Sequence, residues 1–315
     1  MVDPVLDELE QDLAGVQVTA LGGGHGLAGA LQAILEYAHG VTAVVTVADD
    51  GGSSGRLAPA LDIPPPGDIR RALLALSPEP SIWRDLMEFR FEGADVAGHS
   101  LGNLIIAGLA GLTGSFEEAL DTLGELLGAR GTVVPAAPVA LVLEADVGGA
   151  VVTGQVAIAR SRGPITDVRV LPAEVRAGRR AIDAIGVADQ IVLGPGSLFT
   201  SIIAGLRVPG IADALNASVG RLVYVCNLTT QDGETLGMSG ADHVEALTAI
   251  GGIRRPDAIV SHDGPIAVPP GLTPVVLASS EMPGVMVVGA DLARHGADWP
   301  EHDPAKLGGV LRRLA

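Results

Sequence analysis

The sequence predicts an α/β protein: a Rossmann-like, doubly wound, mostly parallel sheet with helices on both faces and a small β-rich insertion. Three observations lead there. An apolar run at residues 16–21 stops at three glycines and is followed by residues at helical spacing. The same strand–turn–helix rhythm returns after residue 190. Between them, residues 132–171 switch to alternating Val, Leu and Ile. Short apolar runs closed by glycine are buried strands, and strands alternating with helices build parallel sheets.

The first element is the strand at 16–21. Leu27, Ala30, Leu31, Ile34 and Leu35 then form the apolar stripe of a helix over residues 27–37. A β-branched run at 41–48 is the second strand and completes a βαβ unit with a right-handed crossover. Residues 68–128 are helical, with breaks at 77–80, 98–100 and 113–115; Ser81 and Ser115 suit N-caps, the second with Glu118 three residues on. Gly148-Gly149 centres a hairpin in the insertion. Strands follow at 190–193, 221–228, 257–261, 275–278 and 285–288, with helices at 199–206, 241–250 and 305–314. No linker rich in Ser, Pro or charge divides the chain. The expected organisation is an acidic tail over residues 1–14 and a single domain over 15–315, with the insertion at about 132–172. That insertion is either a dimer interface or a lid.

The chain has 315 residues, 48% of them hydrophobic, and a net charge of −17. This length buries a large core. The acidity disfavours nucleic acid polymers and anionic lipid as partners. A small anion is still accommodated, by backbone N–H groups and a few local arginines. Cys226 is the only cysteine, so neither a disulfide framework nor a cysteine metal site is expected. Residues 1–14 lack the basic and apolar regions of a signal peptide, and no apolar run approaches the ~20 residues that span a bilayer. The expectation is a cytoplasmic protein without direct membrane insertion, and, as is common at this size, a homodimer.

In open parallel sheets ligands bind beyond the carboxyl ends of the strands, where strand order reverses. Three strand-end turns are therefore candidates. Gly22, Gly23, Gly24, His25 and Gly26 join the first strand to the first helix. Without Cβ atoms such a turn lets the main chain approach a ligand, and the helix aims its free N–H groups and positive end at a phosphate. Gly24, Gly26 and Gly29 also fit G-x-G-x-x-G, a pattern with meaning only in this strand–helix setting. The second turn is Asp49-Asp50-Gly51-Gly52-Ser53-Ser54-Gly55-Arg56. A ribose contact needs one acidic residue; two suggest Mg²⁺ on Asp49 and Asp50, with Ser53, Ser54 and Arg56 meeting phosphate oxygens. A solvated, helix-capping turn is the alternative. Gly194, Pro195, Gly196 and Ser197 form the third, as donors at a helix start or as an ordinary turn.

Asp68 stands near a helix N-terminus as an N-cap or a site residue, with Arg70 and Arg71 just beyond it. His99 and Asn103, four apart, share a face if their helix starts early enough, and a structural histidine is the commoner outcome. The chain has no H-E-x-x-H and no Walker A lysine, which argues against zincins and P-loop enzymes.

The stretches at 22–27 (GGGHGL), 45–57 (VTVADDGGSSGRL), 65–77 (PPGDIRRALLALS), 98–104 (GHSLGNL), 193–203 (LGPGSLFTSII), 224–235 (YVCNLTTQDGET) and 242–247 (DHVEAL) resemble the YvcK-like, gluconeogenesis-factor branch of the CofD family. That resemblance implies a Rossmann-like core related to a Mg²⁺-using transferase, which moves a phospholactyl group from a nucleotide carrier onto a deazaflavin. It also implies a branch that binds UDP-sugars, notably UDP-N-acetylglucosamine, linked to gluconeogenic growth, cell shape and peptidoglycan synthesis, with cell-wall synthesis proteins as partners. By position, Gly22–Gly26 and Gly194–Ser197 would line the nucleotide, and Asp49 and Asp50 would stand for the transferase's acidic pair. His25 departs from the threonine usual there, and the transferase's deazaflavin-binding features are not recognisable. The expected function is thus a nucleotide-sugar-binding regulator. The alternatives are a Mg²⁺-dependent CofD-like transferase and a nicotinamide oxidoreductase, the last carried by the glycine pattern alone.

Overall fold

The structure, a computed structural model, describes residues 15–315; the expected acidic tail lies outside the described residues. In chain order the strands are β1 (Gln17–Gly22), β2 (Gly40–Val45), β3 (Thr132–Pro135), β4 (Val142–Val147), β5 (Ala150–Thr153), β6 (Ile165–Leu171), β7 (Gln190–Leu193), β8 (Arg221–Val225), β9 (Ala258–His262) and β10 (Met286–Ala290). Seven form one sheet in the order β10-β9-β8-β7-β1-β2-β3. Every pairing in it is parallel. From β1 the chain steps out to β2 and β3, returns to β1's other flank as β7, and steps out again. This is the doubly wound plan.

The helices are α1 (Gly24–Ile34), α2 (Gly52–Leu61), α3 (Pro66–Leu76), α4 (Ile82–Glu88), α5 (Leu101–Thr113), α6 (Phe116–Leu127), α7 (Gln155–Ala159), α8 (Arg179–Val187), α9 (Ala204–Leu206), α10 (Ile211–Ala217), α11 (Gly240–Ala249) and α12 (Pro304–Arg312). A π-helical turn, Leu198–Ile203, runs directly into α9. The β1–α1–β2 and β7–α10–β8 crossovers travel in opposite directions along the sheet, so right-handedness puts their helices on opposite faces. Central strands are apolar on both faces: Ile191–Leu193, Leu222–Val225 and Ala258–Val260 are all sealed from solvent, as a sheet covered on both sides requires.

β4, β5 and β6 form the separate antiparallel sheet of the insertion, in the order β5-β4-β6. Its hairpin turns at Gly148 and Gly149, with φ of 58° and 87°, the double positive φ of a type I′ turn. The insertion is shorter than expected, because β3 joins the main sheet beside β2. Residues 275–278 are not a strand. Around Pro274, which has no N–H for a ladder, the chain makes one isolated bridge to Thr229. Ser81 and Ser115 do cap their helices, accepting the N–H of Trp83 and Glu118. Among the described residues no single helix is long and apolar enough to cross a membrane.

Candidate functional site

β1, β2 and β7 end level with one another: Gly22 pairs with Val45, and Leu21 with Leu193. The chain leaves β1 and β7 for opposite faces, so a cleft of about 1560 Å³ opens above their ends. Of the expected residues, Gly23, Gly24, His25, Gly26, Asp49, Asp68, Pro195, Gly196 and Ser197 line it. Gly22, Asp50, Ser53, Ser54, Arg56, His99, Asn103 and Gly194 do not.

The first glycine turn is tighter than predicted. α1 starts at Gly24, with Gly23 as an extended N-cap, so His25 and Gly26 belong to the helix's first turn. Gly26 touches the other strand-end loop: a Cβ there would lie 2.6 Å from the Pro195 carbonyl carbon and 2.8 Å from Gly196 Cα. The two glycine loops are thus one surface. The head of α1 is not wholly open, however. Asp68, in the first turn of α3 and not at its N-cap, Pro65, takes the Gly24 N–H on its carboxylate. Arg71 Nη1 holds the same carboxylate at 2.5 Å. Burial pushes the Asp68 pKa up and the nearby Asp49 adds to the rise, against the pull of Arg71 and the Gly24 N–H. His25 is held below the ordinary imidazole range by burial and by Arg71, so it is neutral at physiological pH.

The third turn is closed by the protein itself. Asn227 clamps Gly196 from both sides, accepting its N–H at 2.9 Å and donating to its carbonyl at 2.8 Å. The head of the following π-helical turn is occupied by the buried Glu234, which accepts the Phe199 and Thr200 N–H groups and the Thr200 hydroxyl at 3.0, 3.2 and 2.6 Å. Those amides do not face the cleft. Gly196 contributes shape rather than a free N–H donor.

The acidic pair is divided. Asp49 faces the cleft and accepts the Gly51 N–H at 3.0 Å. Asp50 turns to the insertion, where it accepts the Val156 N–H of α7 at 2.9 Å. The expected Gly/Ser loop is helix α2. Its Ser53 accepts a hydrogen bond from Asn103 Nδ2 (3.1 Å) and meets His99 Nδ1 at 3.0 Å. Ser54 Oγ accepts the Gly67 N–H at 3.1 Å, and Arg56 donates to the Ala97 carbonyl. These residues brace the cleft wall from behind. His99 precedes the N-cap Ser100 of α5, so it converges with Asn103 through Ser53 and not through a shared helical face. Asp49 and Asp50 do not meet as a Mg²⁺ pair, and no cluster of three His, Cys, Asp or Glu suited to a metal exists among the described residues. Asp68 is near Asp49 but engaged by Arg71. The described residues hold no preformed all-protein metal site.

Sequence reasoning undervalued the basic wall. Arg70, Arg71, Arg84, Arg90 and Arg294 all line the cleft, out of only 20 basic residues in a chain of net charge −17. Arg70 is the unusual one. It is 5% exposed, Nη1 donates to the Met87 carbonyl at 2.8 Å, and Nε has no partner. Burial, with Arg71 and Arg90 nearby, brings its pKa down to about 10. Asn227, Thr229, Thr230 and Gln231 also line the cleft; they were visible only as part of the stretch 224–235. Arg84, Arg90 and Trp299 left no local signal.

Residues 18–272 match the family model described as 2-phospho-L-lactate transferase CofD. The chain belongs to the CofD family. A Mycobacterium tuberculosis relative in the family is 46% identical over 308 residues, 93% of this chain and 89% of the relative. Family members named gluconeogenesis factor are similar as well: one from Halalkalibacterium halodurans (43% identity; 79% and 78% covered) and one from Bacillus subtilis (45%; 73% and 74%). A family structure from Bacillus halodurans, described as a UPF0052 member, superposes with a TM-score of 0.90 at 37% identity, over 94% of this chain and 98% of that one.

Proposed function

We propose that the cleft binds a nucleotide-sugar of the UDP-N-acetylglucosamine type, and that the protein is a cytoplasmic regulator coupling this precursor to gluconeogenic growth and to peptidoglycan synthesis. The observation that carries the reading is Arg70. A buried guanidinium with an unpartnered Nε is costly unless an anion arrives to meet it, and it lies in the same cleft as the head of α1. A helix N-terminus beside arginine is a phosphate site. The relatives' name, gluconeogenesis factor, supports the physiological half. The divided Asp49 and Asp50 support binding over metal-assisted transfer.

Calorimetry and thermal unfolding with UDP-N-acetylglucosamine test this. Saturable binding without turnover is expected, and a stabilisation of about 2.7 kcal/mol at a hundredfold excess over Kd. Absence of both heat and stabilisation refutes it. The family model's own description favours a second reading, a phospholactyl-type transferase. That reading requires Mg²⁺-dependent consumption of a nucleotide-activated acid, lost in Asp49→Asn.

A further inference from the structure

Asp50 faces away from the cleft, yet it holds the one piece of the insertion that faces in. Of residues 132–171 only Gln155, the first residue of α7, lines the cleft. Its side chain is half-buried and has no hydrogen-bond or ion-pair partner among the described residues. The backbone on either side of it is pinned. Gly154 donates its N–H to the Leu143 carbonyl at 2.8 Å; its φ is 99°, and a Cβ there would lie 2.6 Å from Asp50 Oδ2. Val156 donates its N–H to Asp50 Oδ1 at 2.9 Å. One carboxylate thus braces both chain neighbours of Gln155.

α7 is wedged between two loops of the cleft. At its start, a Cβ on Gly51 would lie 3.2 Å from Asp49 Oδ1 and 3.3 Å from Val156 Cγ2, so Asp49 and α7 meet across Gly51. At its end, a Cβ on Gly233 would collide with the Ala159 carbonyl. The charged cleft residues on these two loops are Asp49 and Asp232, the latter paired with Arg162. Arg70, Arg71, Arg84 and Arg90 come instead from α3, α4 and the chain just beyond α4. A phosphate is drawn to those arginines and repelled by Asp49. Asp49 has acceptor capacity beyond the Gly51 N–H, and the Gln155 carboxamide both donates and accepts. Side by side they suit an uncharged ligand part that brings several donors and an acceptor. An acylated amino sugar brings hydroxyls and an amide, whereas a uracil ring brings a single N–H.

We propose that Gln155, positioned by Asp50, is the residue through which the insertion reads the sugar of the nucleotide-sugar, with Asp49 accepting sugar hydroxyls beside it. The proposal rests on the cleft being a nucleotide-sugar site. Gln155 contacts the ligand; Asp50 acts only through Gln155.

The test is calorimetric titration of parent and variants with UDP and with UDP-N-acetylglucosamine. The parent is expected to bind the sugar nucleotide more tightly than UDP. Gln155→Leu is expected to weaken UDP-N-acetylglucosamine about tenfold and to leave UDP within twofold of the parent. Asp50→Ala is expected to weaken the sugar nucleotide severalfold, again sparing UDP, and to add nothing further in the Gln155→Leu background. Asp50→Asn, which keeps an oxygen for the Val156 N–H, is expected to bind like the parent. Gln155 is half-buried and Asp50 exposed, so the ligand-free variants should unfold at the parent's temperature. Equal weakening of both ligands in Gln155→Leu, or no weakening of either, overturns the proposal. An Asp50→Ala variant that keeps the parent's preference, or an Asp50→Asn variant that loses it, overturns the positioning role. A parent that binds both ligands alike overturns the sugar subsite and leaves the nucleotide site standing. A parent that binds neither overturns the nucleotide-sugar reading itself, a different and recognisable failure.

Discussion

Replacing Arg70 by methionine separates the two things this residue could be for. In the ligand-free protein the guanidinium is 5% exposed, and the burial, with Arg71 and Arg90 nearby, that lowers its pKa to about 10 costs roughly 3 kcal/mol in holding the charge. A cation whose folded-state pKa is lowered destabilises the fold at every pH below that value, neutral pH included. Arg70→Met removes this cost together with the hydrogen bond to the Met87 carbonyl, worth about 1–1.5 kcal/mol net. That carbonyl keeps a second donor, the Ser100 hydroxyl at 3.3 Å, so no acceptor is stranded. Methionine is unbranched and follows the path of the arginine stem past Gly102, where a Cβ would lie 2.7 Å from Arg70 Cδ. The ligand-free variant should match the parent or exceed it by about 1 kcal/mol. With ligand the sign reverses. A charge-assisted contact to phosphate worth about 1.5–3 kcal/mol is lost, so affinity falls roughly 10- to 150-fold. Thermal unfolding and calorimetry, each with and without UDP-N-acetylglucosamine, read both effects. A variant destabilised by more than about 2 kcal/mol without ligand, yet binding like the parent, would show that Arg70 is a structural strut and refute the argument.

Three further outcomes follow from the geometry. Gly26→Val drives side-chain atoms into the Pro195 carbonyl; urea unfolding should show a loss of about 1–3 kcal/mol, with ligand affinity falling alongside. Asn227→Ala strips both main-chain hydrogen bonds from Gly196 and should cost about 1–3 kcal/mol, while Asn227→Asp restores the acceptor but sets a carboxylate against the Gly196 carbonyl and should not rescue. For pH, Asp68 is a carboxylate raised above its ordinary value by burial; the ligand-free protein therefore gains stability as pH falls through the folded-state pKa toward the unfolded one, and Asp68→Asn should flatten that rise. A phosphate bound beside Asp68 raises it further, so ligand binding should take up a proton and tighten as pH falls. Calorimetry in two buffers of different ionisation heat detects that uptake, and Asp68→Asn should abolish it.

Much of the fold was legible because its signals are local. β7 and the first two strands are apolar runs bounded by glycine, and the caps at Ser81 and Ser115 need only their own helices. What was missed depends on distant partners. Residues 52–61 are rich in Gly and Ser, yet they are helical as α2, with Ser53 and Ser54 buried against His99, Asn103 and Gly67. β3 looked like part of the insertion because strand composition does not say which sheet a strand joins. The same limit applies to the site. The glycine turn announced a binding end of the sheet, but the orientation of neighbouring side chains was invisible: Asp49 faces the cleft and Asp50 faces away. Arg70 stood in plain view as one of two adjacent arginines, and only burial sets it apart.

The two helix heads beside the switch point differ in a way that decides where an anion goes. Each is met by one of the protein's own carboxylates. Glu234 receives two backbone N–H groups and the Thr200 hydroxyl, and Ser197 adds to this. Displacing it would strand several buried donors, each costing about 1–3 kcal/mol. Asp68 receives one backbone N–H and a half-buried arginine, and it shares its surroundings with Asp49, which opposes its charge. A phosphate arriving at α1 can take over the Gly24 N–H and Arg71, and Asp68 is then neutralised by a proton. The easily relieved carboxylate lies in the cleft with Arg70, and the firmly held one is bonded to the other helix. On the proposed reading, that energetic difference assigns the anion to α1 rather than to the second helix head.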